Sequence, residues 1–128
     1  MAEAEPSGIR THRDLHAWQR AMELAERVYG VTADFPGEGK FGLVAQMRRA
    51  AVSVAANIAE GYGRGRKGEF RRFLEIGRGS LFELQTHAEL ARRLGRLKGP
   101  ALADFRESTH QTDAVLAGLL KSVKKRQT

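Results

Sequence analysis

Apolar positions fall into four long stretches in which they recur every three or four residues, the repeat of a helix with one buried face. In the first, Leu15, Trp18, Met22, Ala25, Val28 (or Tyr29) and Thr32 mark a helix over about 15–33, with Asp14 placed as its N-cap. Pro36, Gly37 and Gly39 break that pattern with turn chemistry. The second stretch, about 42–60, carries Leu43, Met47, Ala50, Val54 and Ile58. Its segment "AAVSVAANIA" is apolar or small almost all round, which predicts a helix contacted on several sides, by sister helices or by another subunit.

The third stretch, about 67–94, lines up Phe70, Phe73, Leu74, Gly77, Leu81, Leu84, Ala88, Ala91 and Leu94. Gly77 and Gly79 lie inside it, where each costs about 1 kcal/mol relative to Ala, so close approach of a neighbouring backbone is the expected offset. Gly95 is placed as the C-cap, and Pro100 opens a fourth helix, about 100–124. Its stripe is Leu102, Phe105, Thr109, Thr112, Val115 (or Leu116), Leu119 and Val123. No segment alternates in the manner of a strand. Four helices with short connections predict an all-α fold, an antiparallel up-down-up-down four-helix bundle. The expected organisation is a flexible tail over 1–11 and one bundle domain over 12–126.

Composition narrows the partners. The chain has 128 residues, 41% of them hydrophobic, which suffices for one core. Cys is absent, which removes disulfides and thiolate metal sites and fits a cytoplasmic setting. No apolar run approaches the roughly 18 residues of a membrane span, so no membrane partner is expected. The start, "MAEAEPSGIR", lacks the apolar core of a signal peptide. A net charge of +7 and a pI near 10.4 favour a polyanion such as RNA or DNA.

Candidate chemistry is sparse. The run "NIAEGYGRGRKGEF" holds Gly61, Gly63, Gly65 and Gly68, but a dinucleotide fingerprint needs a preceding strand and G-x-G-x-x-G spacing, and neither is present. These glycines read better as a helix stop at Gly61 and a turn through Gly63 and Gly65. Glu107 and His110 form one E-x-x-H pair, whereas a di-iron bundle needs two such pairs and two further carboxylates. Glu83 and His87 have the wrong spacing, and His12 and His16 straddle a helix start, so no metal or other cofactor is expected. Ser53 and Ser80 sit in small-residue helical runs, not in a nucleophile elbow, and read as packing. Asn57 and Glu60 read as a hydrogen-bonded node fixing register, with Gln46, Arg48 and Arg49 as possible partners. A catalytic carboxylate at Glu60 is the alternative.

Positive charge is clustered. Arg64, Arg66, Lys67, Arg71 and Arg72 follow the second helix; Arg92 and Arg93 close the third, with Arg96 and Lys98 just after it; Lys121, Lys124, Lys125 and Arg126 lie near the end of the sequence. Antiparallel topology puts the first and last clusters at one end, beside Arg10 and Arg13, and the middle cluster at the other, near Lys40. Cations in last helical turns complement the helix dipole, but Arg71 and Arg72 lie near a helix start. The expected binding residues for a phosphate backbone are therefore Arg64, Arg66, Lys67, Arg71, Arg72, Lys121, Lys124, Lys125 and Arg126.

The segments "DLHAWQRAMELAERVY", "LVAQMRRAAVSVAANIAEGYGR" and "FLEIGRGSLFEL" resemble the small bacterial four-helix proteins known as intervening-sequence 23S rRNA proteins. That family also takes in the accessory variability determinant of diversity-generating retroelements. Ala50, Ser53, Asn57, Glu60, Gly61 and Gly63 match its motif. Val54 and Ala55 stand where the family often shows Ile and Pro, and Gly77 and Arg78 where it often shows Ala and Lys. The resemblance implies a cytoplasmic homopentameric ring with a basic surface for nucleic acid and, in the retroelement branch, a reverse transcriptase partner. The reading taken from the sequence is a non-catalytic, oligomeric bundle that binds nucleic acid. Its alternatives are a protein-interaction module for an acidic partner and a metal-dependent enzyme using Glu60, Glu83, Glu107 and His110.

Overall fold

The computed structural model describes residues 8–36 and 42–127. The expected turn glycines Gly37 and Gly39, Lys40, and the first seven residues of the tail lie outside them. A short 3-10 turn, His12–Asp14, leads into α1 (His16–Thr32), followed by α2 (Leu43–Gly63), α3 (Lys67–Arg93) and α4 (Gly99–Gln127). Among the described residues all regular structure is helical.

Contacts between the helices run in opposite senses at every seam. Arg20 and Arg27 of α1 meet Gln111 and Asp104 of α4, so the partner number falls as the α1 number rises. Arg48, early in α2, hydrogen-bonds Thr32 at the end of α1. Ser53 meets Ser80, and Gly61 lies against Phe70 and Phe73, which orders α2 against α3. Glu75, Arg78 and Glu89 of α3 meet Lys124, Asp113 and Arg106 of α4. The bundle is therefore antiparallel, up-down-up-down.

The core is built from the periodic positions. Leu24 and Val28 of α1, Met47, Val54 and Ile58 of α2, Phe70, Leu74, Leu81 and Leu84 of α3, and Leu116 and Val123 of α4 are all buried. Each such side chain contributes about 1.5–3 kcal/mol by leaving water.

Four local expectations are corrected. Asp14 does not cap α1. It closes the 3-10 turn in a capping box with Thr11, and α1 starts from Leu15 with no side-chain cap. The α1 stripe holds at Leu15, Ala25, Val28 and Thr32, which are buried, but Ala17, Ala21 and Leu24 join them in the core while Met22 stays 40% exposed. Small alanines permit close helix approach there, so the bulky residues fall outside the seam. Leu94 is exposed and Leu97 takes its place in the core. Gly61 does not stop α2, which continues to Gly63. A methyl at Gly61 would sit 2.7 Å from the Phe73 Cβ, so its glycine serves helix contact. The turn that ends α2 belongs to Gly65, at φ 76.

Candidate nucleic-acid interface

The connection between α2 and α3 is only three residues, Arg64 to Arg66, because Gly65 takes a left-handed conformation that a side chain would strain. This turn presents Arg64 and Arg66 next to the first turns of α3. The Arg64 guanidinium hydrogen-bonds Glu60 at 2.7 Å, lies 3.7 Å from Glu69 and rests 5.0 Å from the Phe73 ring centre. The Glu60 hydrogen bond holds Arg64 above the ordinary arginine value. Arg72 approaches the same ring at 5.1 Å and Glu69 at 3.9 Å. Arg66 is exposed at the N-cap of α3, and Lys67 is half-buried in its first turn.

The C-terminal cluster meets this one at a shared carboxylate. Glu75 lies 3.4 Å from Arg71 and 3.6 Å from Lys124. Lys121, Lys125 and Arg126 are exposed on the same closing turns of α4. Residues 60–75 and 121–126 together carry nine cations against Glu60, Glu69 and Glu75, a local net of +6. Ion pairing orders these side chains without cancelling the charge.

The opposite end is organised on Glu89. Arg92 donates to it through two nitrogens at 2.9 and 2.8 Å, Arg93 adds a bond at 3.0 Å, and Arg106 of α4 lies 4.0 Å away. The Arg92 hydrogen bonds, then that of Arg93, pull the Glu89 carboxyl down to about 2. Midway along the seam, Arg78 grips Asp113 at 2.7 and 3.3 Å and sits 5.1 Å from the Phe82 ring centre. Sequence reasoning did not single out Arg78, Phe82, Glu89 or Arg106 as site residues. The available signal was the seven-residue spacing of Arg71, Arg78, Gln85 and Arg92, which sets them on one flank of α3.

The polar positions of α2 go elsewhere. Asn57 donates to the Ser53 carbonyl at 2.8 Å and the Ser53 hydroxyl at 3.0 Å, and Ser53 Oγ lies 2.9 Å from Ser80 Oγ. The node is real but half-buried, and its partners are the two serines. Arg48 instead binds Thr32 and covers Tyr29, and Arg49 binds Gln46. Glu60 is outside the node: its side chain is half-exposed and paired to Arg64. Gly63 is exposed in the last turn of α2. Glu83 pairs with His87 and Glu107 with Gln111, and the described residues bring together no group of three metal-ligating side chains. No described helix is long and apolar enough to cross a membrane.

Between α1 and α2 runs an apolar groove lined by Trp18, Met22, Ala25, Tyr29, Val52 and Ala56, with Glu26 at its edge. Here the broad apolar girth of α2 reaches the surface, with Val52 46% exposed.

A comparison with curated proteins finds no match. The family model described as "23S rRNA-intervening sequence protein" matches residues 13–118, which span α1, α2, α3 and most of α4. Its reach over all four helices, on a four-helix bundle, places the chain in the 23S rRNA-intervening sequence protein family.

Proposed function

We propose that this protein is a non-catalytic, self-assembling bundle that holds the phosphate backbone of RNA or DNA against its basic end. The observation that carries the reading is the meeting of the α3 start and the α4 end through Glu75, which gathers two basic clusters from distant parts of the chain. A surface with a local net of +6 attracts polyanions and releases their counterions. Its long cationic side chains suit phosphate oxygens, which position a strand without reporting its sequence. The family description, which names ribosomal RNA, is consistent with an RNA partner.

The α1–α2 groove supports assembly, because Met22, Tyr29 and Val52 are too large and too exposed for a face that meets only water. A homopentameric ring and a reverse transcriptase partner follow from the family resemblance alone.

Fluorescence anisotropy with labelled RNA and DNA tests the reading. The expected result is micromolar or tighter binding that weakens steeply with salt. Charge reversal at Arg66, Lys67, Arg71 and Arg72 should cut affinity and flatten the salt slope by about 0.7–0.9 for each phosphate no longer neutralised. Absence of salt-sensitive binding in the native chain would leave the acidic-protein module as the better reading.

A further inference from the structure

We infer that the outer face of the α3–α4 seam is a track for single-stranded nucleic acid, on which Phe82 stacks a base. The inference rests on the proposed nucleic-acid reading and names the strand form and the route.

The seam joins the two basic ends. Arg71 and Lys124 share Glu75, Arg78 pairs with Asp113, and Arg92, Arg93 and Arg106 surround Glu89. Six cations thus meet three carboxylates, a net of +3 along the seam. At both ends one carboxylate is shared by more than one cation, so the strip keeps an excess of positive charge that attracts phosphate.

Phe82 lies between those ends, near the middle of α3, and is 48% exposed, whereas the other phenylalanines of that helix, Phe70 and Phe73, are buried. Arg78 lies against its ring at 5.1 Å. An exposed aromatic beside an arginine, inside a basic strip, is the arrangement that takes an unpaired base: the base stacks on the ring while the cations hold the backbone. A duplex hides its base faces within its own stack and gains nothing from Phe82. Charge complementarity thus selects a polyanion, and the ring selects one with free bases.

The geometry sets a length. From Arg71 to Arg92 the helix rises about 30 Å, at about 1.5 Å per residue. A stacked strand advances about 3.4 Å per nucleotide, so roughly nine nucleotides span the track.

The test uses the full chain and labelled oligouridine from about 4 to 16 nucleotides, within the usual range of site sizes, with a duplex as control. Affinity should climb with length and level off near nine or ten nucleotides. Phe82→Ala should weaken single-strand binding about tenfold and leave duplex binding unchanged. Phe82→Trp should preserve affinity and show fluorescence quenched by the strand. Since Phe82 is half-exposed, circular dichroism should report intact folding in both variants. If the native chain binds no nucleic acid, the underlying reading fails as well. If it binds and Phe82→Ala binds equally, or if that variant changes only the assembly mass, the track is wrong and the ring belongs to another contact.

Discussion

At the scale of single residues, three glycines that look alike in sequence do different work. At Gly61 an added methyl would meet Phe73 at 2.7 Å and the Phe70 ring and carbonyl at 3.3 Å. Gly61→Ala should therefore lower stability by about 1–3 kcal/mol, despite its gain in helix propensity. At Gly79 the space is open, so Gly79→Ala should raise stability by about 0.5–1 kcal/mol. Urea titration of both variants checks the pair. Close approach at Gly77 was foreseeable from the sequence, and the α2 backbone does pass there, with the Val54 carbonyl 3.4 Å from where a methyl would sit. The same reasoning fails for Gly79, because a glycine's spacing does not say which side of the helix faces a neighbour. Glu89 gives a residue-level prediction in pH. Its folded value, about 2, lies below its ordinary 4.5, so its contribution is complete above about 4.5 and disappears as pH falls through about 2. Glu89→Gln should show a flatter loss of thermal stability over that acid range, as read by melting temperature at successive pH values.

At the scale of elements, the position of each helix was legible because apolar residues recur faithfully. Their ends were less so. α2 runs past Glu60 because helix–helix packing at Gly61 overrides the glycine's usual tendency to stop a helix. The face of α1 was misjudged only at Trp18 and Met22, where bulk was taken for burial: both are larger than Ala17 and Ala21, but the alanines let α1 approach its neighbours. The Asn57 node was visible as a polar break in an apolar helix. Its partner Ser80 was not, since only the antiparallel register brings residue 80 opposite residue 53. Ser53→Ala and Ser80→Ala should each cost about 1 kcal/mol, and their double-mutant cycle should show positive coupling, since one hydroxyl pair serves both.

At the scale of the whole molecule, the clustering of charge was legible from topology, and the Lys124–Glu75–Arg71 contact realises it. The path between the basic ends was not legible, because its members come one at a time from two helices and are brought together only by folding. The assembly proposal makes a matching prediction. Tyr29→Glu with Val52→Glu places charge in the α1–α2 groove, at positions already exposed in one chain. The mass from light scattering should then fall toward the 14.2 kDa of a single chain, with helicity retained.

The three-residue connection at Gly65 has a consequence in time. It lets α2 and α3 meet after closing almost no loop, so their pairing carries little entropic delay. α1 and α4, at opposite ends of the chain, must find each other across sequence separations of 77 and 91 residues. The α2–α3 hairpin should therefore form first, with Gly61 and Ser80 variants slowing folding while Arg27 and Asp104 variants mainly hasten unfolding. Stopped-flow chevrons on those four would show whether the turn that positions the arginines also starts the fold.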